Sequence, residues 1–189
     1  MLPSERPHLG PVHALLVAAL AAAVALVLLP GRAQREHPQD LLRALRAARG
    51  PSLPEAGRVG ASSATPLARY NRDSLYEVID GAAEGYLARG FSAAAMTSYA
   101  FPASSGGTLE VSAEAHRFSA GEGAQQQLEA ERPKRAAPLP EMPEAVSDGT
   151  VLLARLGPDL LKLTVVSPAG GGAEALAAIA GAWRREQAR

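Results

Sequence analysis

The sequence contains no cysteine. This absence excludes disulfides, a thiol nucleophile, thiolate metal ligation and an amino-terminal lipid-modified cysteine. The absence does not identify the cellular compartment, since exported proteins can also lack cysteine. An excess of charge of one sign is missing too, because Lys plus Arg and Asp plus Glu both number 19. A neutral chain has no long-range attraction for polyanions, so we expect no nucleic-acid partner.

Aromatic residues and catalytic motifs are also scarce. Aromatics make up 4% of the chain and hydrophobic residues 47%, so the core must consist mainly of Ala, Leu and Val. The sequence has no G-x-S-x-G nucleophile motif, phosphate-binding loop, H-E-x-x-H zinc motif or dinucleotide fingerprint. These absences favour a non-catalytic domain without a cofactor over an enzyme.

One long apolar run is present near the amino terminus. Residues 12–29 form a run of 18 in which only His13 is polar. Its length lies between the roughly 7–15 apolar residues of a secretory signal and the roughly 20 of a spanning helix. A small-x-small pattern ends at Ala33, so residues 1–33 are either a cleaved signal peptide or a single transmembrane anchor. By the positive-inside rule, the basic residues after the run would place the carboxyl-terminal side of a membrane anchor in the cytoplasm. The short head and the lack of a second span nevertheless lead us to expect an extracytoplasmic protein, periplasmic or at the cell surface, secreted or anchored in the inner membrane.

Residues 34–66 read as a short helix and a linker. The leucines of Gln39–Arg49 fall on one side of a helix, which Gly-Pro then ends. Residues 51–66 are rich in Pro, Gly, Ser and Ala and show no periodicity, which is typical of a linker. The folded domain is therefore expected at 67–189.

The pattern of this domain indicates an α+β fold. Its predicted elements are strands at Ala94–Phe101 and Thr108–Phe118, a helix from a Ser119-x-x-Glu122 capping box to Arg132, a hairpin at Asp148-Gly149, strands at Thr150–Leu156 and Leu160–Ser167, and a helix at Ala173–Ala188. Strands joined by hairpins predict an antiparallel sheet of four to five strands with packed helices, after the amino-terminal hydrophobic helix.

The stretch 70–91 is the most distinctive part of the domain. We predict that most of it forms one helix, which begins at a cap formed by Asn71 or Asp73, is buried on most of its circumference and is ended by Gly90 in a left-handed conformation. Gly81 and Gly85 lie one turn apart, and each costs about 1 kcal/mol relative to Ala inside a helix. We therefore expect a neighbouring backbone to pack against them and to donate N–H groups to Asp80.

The run LYEVIDGAAEGYLARGF within this stretch resembles the LYxxIDGAAExYxxxGF signature of an uncharacterised family of exported bacterial and archaeal proteins, a domain of unknown function. The matching positions are Leu75, Tyr76, Ile79, Asp80, Gly81, Ala82, Ala83, Glu84, Tyr86, Gly90 and Phe91. The resemblance extends from about Leu67 to the end of the chain and departs at Gly123-Ala124-Gln125, where the family often has Ala-Phe-Gly. It implies export and an α+β fold, but no activity, cofactor or substrate. Its binding or structural residues would be Tyr76, Asp80, Gly81, Glu84 and Tyr86.

Two groups of titratable residues are candidate sites. On one helix, Glu77, Asp80 and Glu84 would share a face that could hold a hard cation such as Ca²⁺. They lack the carbonyls and rigid loop of a dedicated site, so we predict a solvated or salt-bridged face and no metal. Glu110, Glu114 and His116 share a strand face, which is typical of the solvent side of a sheet; the alternative is acid–base or metal chemistry. The tyrosines are expected to belong mainly to the core.

Three hypotheses about function follow. The first is a non-catalytic, membrane-tethered or secreted domain that binds an unknown protein or small-molecule partner outside the cytoplasm. The second is a hydrolase or metal-dependent enzyme that uses the Asp80 and Glu84 region, together with His116. The third is an accessory subunit of a membrane complex that makes contacts through residues 12–29. Convergence of Asp80, Glu84 and His116 on a concave pocket would favour the second hypothesis over the first.

Overall fold

The computed structural model of the chain describes residues 50–79, 81–103, 106–167 and 170–188. The apolar run at 12–29 and the predicted helix at Gln39–Arg49 lie outside these ranges, as does Asp80. Within the described ranges, no helix is long and apolar enough to cross a membrane.

The helices are separated by two or more consecutive strands, most of which are joined by hairpins. In chain order they are α1 (Ala56–Val59), β1 (Ser63–Ala64), β2 (Ala68–Asn71), one 3₁₀ turn (Leu75–Glu77), α2 (Ala83–Ala88), β3 (Phe91–Pro102), β4 (Thr108–Phe118), α3 (Gly121–Glu131), β5 (Ala137–Leu139), β6 (Met142–Ser147), β7 (Val151–Leu156), β8 (Asp159–Val165) and α4 (Gly172–Gln187).

All the strands belong to one antiparallel sheet of eight strands, in the order β1-β3-β4-β8-β7-β6-β5, and β2 also pairs with β3. The predicted α+β class and antiparallel sheet are confirmed, but the sheet has more strands than the four to five expected. The additional strands are short or contain proline: β1, β2 and β5 have two, four and three residues, and β5 and β6 each contain a proline, so a period-two pattern is too brief or too interrupted to identify them.

The alternating pattern of β4 assigns a side of the sheet to each residue. Leu109, Val111, Ala113 and Ala115 are buried on one side, where the predicted stripe of α4, including Ile179 and Trp183, packs against them. We call this side the α4 face. The other side, the α2–α3 face, carries a second core that includes Tyr86, Phe91 and Phe118. The sheet is therefore covered on both faces, because each face presents an apolar surface to a helix.

The prediction of one helix over the stretch 70–91 is wrong. The Asn71 Oδ1 accepts hydrogen bonds from the backbone N–H groups of Asp73 and Ser74, which closes a tight turn. A single 3₁₀ turn follows, and Gly81 has a φ of +69°, so helix α2 begins only at Ala83. The Asn turn and the left-handed glycine thus divide the stretch. Only its predicted end is confirmed, since Gly90 has a φ of +84°.

The segment 50–66 is packed against the sheet, although its composition is that of a linker. Leu53 and Val59 are buried in the core of the α4 face. The hydroxyl of Tyr99 donates a hydrogen bond to the carbonyl of Pro54, and Thr97 donates one to the carbonyl of Thr65 at 2.7 Å. These contacts make this part of the predicted linker a structural part of the domain.

The predicted capping box of α3 does not form. Ala120 occupies the N-cap position, and no side chain caps the helix. The backbone N–H of Ser119 instead donates a hydrogen bond to the Gly90 carbonyl at 2.8 Å. The beginning of α3 is thus held against the chain that leaves α2, and this contact brings the two helices together over the sheet.

Candidate functional site

A group of polar side chains lies between the sheet and helices α2 and α3. We call it the polar cluster, and its members are Tyr86 on α2, Glu114 and His116 on β4, Gln127 and Glu131 on α3, and Lys162 on β8. Glu114 and Lys162 are direct partners in the β4–β8 register. Because side chains two residues apart share a face, the polar residues of both strands point toward α2 and α3.

Glu131 is the centre of the polar cluster. Its Oε1 accepts hydrogen bonds from the Tyr86 hydroxyl and from Gln127 Nε2, the latter at 2.6 Å. Its Oε2 lies 2.8 Å from Lys162 Nζ. Arg89 donates to the Gln127 Oε1 at 3.0 Å, which fixes the orientation of the amide. A single carboxylate therefore connects α2 to α3 through a hydrogen bond at Oε1 and α3 to β8 through an ion pair at Oε2.

Glu114 and His116 form the second part of the polar cluster. The Glu114 Oε2 lies 3.1 Å from the His116 Nε2. An ionised carboxylate can only accept hydrogen bonds, so Nε2 carries a hydrogen and is the donor of this hydrogen bond. The His116 ring is fully buried, with its centroid 5.0 Å from that of Tyr86 and 6.2 Å from that of Phe91. Within the described residues its Nδ1 has no hydrogen-bond partner.

The charges of the polar cluster stabilise one another despite their burial. Burial alone raises the pKa of Glu131, but the hydrogen bonds from Lys162 and Tyr86 outweigh it and lower the pKa. Burial likewise opposes ionisation of Glu114, whose pKa is lowered by His116 and Lys162. For Lys162, desolvation lowers the pKa, while the two carboxylates raise it above its ordinary value. Burial, followed by the charge of Glu131, raises the pKa of Tyr86.

Tyr86 and His116 of the polar cluster are shielded from solvent, and its carboxylates are occupied by groups of the protein. A general base or nucleophile must come within hydrogen-bond distance of a substrate. Tyr86 is only 2% exposed and covers His116, which is fully buried. The carboxylates of Glu114 and Glu131 are engaged by groups of the protein itself. Among the described residues, no three His, Asp or Glu side chains are grouped so that they could hold a metal ion. The polar cluster thus connects helices to the sheet.

A second feature lies immediately before α2. We call residues 75–79 the exposed turn: Leu75 is fully buried, but Tyr76 is 56% exposed and Val78 is 38% exposed. The chain has three Phe, four Tyr and one Trp, and among these Tyr76 is the one that is mostly exposed. Large apolar side chains that face solvent together are typical of interaction surfaces.

The structure separates the residues that the sequence grouped in the stretch 70–91. Tyr86 lies in the polar cluster and Tyr76 in the exposed turn. Glu77 belongs to the 3₁₀ turn and Glu84 to α2, and both are exposed. Gly81 is exposed as well, and a Cβ added to it would meet no atom within 4 Å. No described residue therefore makes the expected close backbone contact at this glycine.

The strand row of Glu110, Glu114 and His116 is only partly on a solvent side. Glu110 is exposed as predicted, whereas α2 and α3 cover the other two residues. Sequence reasoning missed Gln127, Glu131 and Lys162 altogether. The signals were the i, i+4 spacing of Gln127 and Glu131 and the single Lys in the apolar strand LLKLTV.

A shallow cleft on the α4 face is a third feature. It has a volume of about 320 Å³ and is lined by Leu53, Glu55, Arg58 and Glu186. The Arg58 guanidinium lies 3.7 Å from the Glu186 carboxylate. The cleft therefore carries charges of both signs, and its main cation is already paired.

The chain was compared with protein-family models, curated proteins and solved structures, and none of them matches it.

Proposed function

We propose that this chain is a non-catalytic binding domain that acts outside the cytoplasm, either secreted or tethered to the membrane through residues 12–29. The observation that carries the proposal is the exposure of Tyr76 beside Val78 in a domain that buries almost all its other aromatic side chains. Tyrosine is enriched in protein interfaces because it combines a large apolar area with a polar group. The apolar run and the resemblance to exported proteins support the extracytoplasmic location.

The alternative of a hydrolase or metal-dependent enzyme has less support. Its residues would be Asp80, Glu84 and His116, of which Asp80 lies outside the described residues. Glu84 is exposed on α2, whereas His116 is fully buried and bonded to Glu114. These two side chains therefore have opposite environments. The third hypothesis, an accessory subunit of a membrane complex, is a special case of binding in which the complex is the partner.

Site-specific photo-crosslinking in cells that produce the full chain tests this proposal. A photoreactive phenylalanine analogue at Tyr76 should form a discrete adduct with a partner. The control is the same analogue at Gln125, which is exposed on α3, and it should form none. An alkaline phosphatase fusion at the carboxyl terminus should be active if the domain is exported.

Each result has a distinct meaning. If position 76 forms no more adduct than position 125, the exposed turn is not a binding surface in cells and the proposal fails. If the fusion is inactive, the extracytoplasmic location is wrong, whatever the adducts show.

A further inference from the structure

The exposed turn is held in a fixed conformation by the core and by its own backbone. Leu75 is buried with Tyr86 and Phe91 in the core of the α2–α3 face, and Ile79 packs against that core. The backbone N–H of Ile79 donates to the Leu75 carbonyl at 3.0 Å. Tyr76 and Val78 are therefore presented by a preformed turn, which lowers the conformational entropy lost when a partner binds.

Carboxylates surround these apolar side chains along the chain. Asp73, Glu77 and Glu84 are all exposed, and none of them forms an ion pair with a described residue. Between positions 72 and 84 the one cation is Arg72, whose guanidinium donates to the Phe91 carbonyl at 3.3 Å. The neighbouring cations on either side are bonded elsewhere, since Arg69 donates to the Pro51 carbonyl and Arg89 to the Gln127 amide oxygen. The segment thus combines an apolar centre with an excess of negative charge.

We infer that the exposed turn binds an apolar pocket on a partner protein whose rim carries Lys or Arg. This inference rests on the proposed function and adds the chemistry of the partner. A basic rim would complement Asp73, Glu77 and Glu84, while the pocket would take up Tyr76 and Val78.

Two other occupants fit the charges less well. An anionic lipid surface would repel the carboxylates that flank the turn. A second copy of the chain would have to offer a basic pocket. The cleft on the α4 face contains Glu55 and Glu186 as well as Arg58, and the cleft beside it, lined by Arg58, Ala182, Arg185 and Glu186, also contains an acidic side chain. Arg58 is already paired with Glu186 in both. A protein of different sequence is therefore the partner that this surface favours.

Two synthetic peptides of equal length test the inference. One is an amphipathic helix with Leu on one face and Lys on the other, and the second has Glu in place of every Lys. Binding to the full chain is measured by fluorescence anisotropy. We expect the Lys peptide to bind at least about tenfold more tightly than the Glu peptide. Its affinity should fall as salt is raised from about 50 to 500 mM, because the charges are exposed to solvent.

Variants show whether this binding uses the exposed turn. Tyr76→Ser should weaken binding of the Lys peptide about tenfold or more, as expected for an aromatic anchor, and Glu77→Gln should weaken it severalfold. Val166→Ser is the matched apolar control, because Val166 is 58% exposed and lies just after the end of β8. Glu174→Gln, at the exposed start of α4, is the matched charge control. Both control variants should bind like the wild type, and circular dichroism should show all four folded.

Several outcomes would overturn the inference. The chemistry is wrong if both peptides bind equally, if neither binds, or if the control variants lose as much affinity as Tyr76→Ser. Tyr76-dependent flotation with phosphatidylglycerol vesicles would identify a lipid surface instead. Tyr76-dependent self-association in analytical ultracentrifugation would identify a second copy. A cellular adduct at position 76 without Lys-peptide binding would leave the proposed function standing and remove only this inference. Binding of the Lys peptide without a cellular adduct at position 76 would contradict the proposed function.

Discussion

Replacement of Gly123 by Ala should destabilise the domain, although Ala is the better helix former. Gly123 lies in the first turn of α3 and is buried against the chain that leaves α2. A Cβ atom at this position would overlap the Arg89 carbonyl oxygen and would lie 3.1 Å from the carbonyl carbon. It would also lie 3.5 Å from the Cβ of Phe118. A backbone group cannot rotate away as a flexible side chain can, so α3 would have to move.

The expected magnitude follows from two opposing effects. Overpacking of a well-packed core costs about 1–3 kcal/mol, and the replacement of Gly by Ala in a helix gains up to about 1 kcal/mol. Gly181 in α4 is the matched control, because its added Cβ would meet only the end of the flexible Arg185 side chain, at 3.4 Å. Gly181→Ala should therefore stabilise the domain by about 0.5–1 kcal/mol. Because both variants gain this helix propensity, they should differ by the overpacking cost, about 1–3 kcal/mol, which corresponds to about 2–12 °C in Tm.

Urea unfolding measures this difference, with the fluorescence of Trp183 as the probe. Trp183 is the single tryptophan and is fully buried on the α4 face, so it reports exposure of the core without contacting the mutated site. If Gly123→Ala proves as stable as Gly181→Ala, α3 does not approach Arg89 closely, and this account of the helix contact is wrong.

Three further predictions concern the polar cluster and Gly81. Tyr86→Phe should cost about 1.5–3 kcal/mol in urea unfolding, because it removes a buried hydrogen bond to a charged group; an unchanged midpoint would mean that the Tyr86 hydroxyl does not stabilise Glu131. The pKa of Glu114 and of Glu131 is lowered by folding, so the stability they contribute is present above their ordinary value of 4.5 and is lost as pH falls through the lowered values. The pKa of Lys162 is raised, so its contribution is present below 10.5 and is lost as pH rises through the raised value. Glu131→Gln should flatten the acid limb of a plot of unfolding free energy against pH, and an unchanged limb would contradict this. Gly81→Ala and Gly81→Leu should each cost only about 1–2 kcal/mol, from the left-handed backbone; complete unfolding of the Leu variant would show that the position is packed.

The sequence predicts the parts of the fold in which a hydrophobic period is unbroken. Strand β4 and helix α4 were predicted almost to the residue, because alternation and a 3.6-residue stripe are both explicit there. Strands β5 and β6 contain Pro138 and Pro143, whose presence predicts a loop, yet both residues are accommodated in the sheet. The composition of residues 51–66 predicts a linker, but the buried side chains of Leu53 and Val59 attach this segment to the core.

The polar cluster could be predicted only in part, for a different reason. Alternation places Glu114 and His116 on one face of β4, and this placement is correct. Whether that face is exposed to solvent depends on the position of α3. That position depends in turn on the absence of a side chain at Gly123. A tertiary contact of this kind leaves no periodic signal in the sequence. Glu131 was therefore not expected beside Tyr86, although both belong to readily predicted types of element.

The division of the stretch 70–91 leads to a test that separates structure from binding. On one continuous helix, Tyr76 and Tyr86 would lie on the same broad apolar face, and the loss of either would damage the core. In the structure, the turn at Asn71 and the left-handed Gly81 assign them different environments, so that Tyr86 is buried and Tyr76 is exposed. Tyr86→Phe should consequently lower the unfolding midpoint and leave affinity for the Lys peptide unchanged. Tyr76→Ser should weaken the affinity for the Lys peptide and leave the unfolding midpoint unchanged. A variant that lowered both the midpoint and the affinity would indicate that the stretch acts as one packed unit.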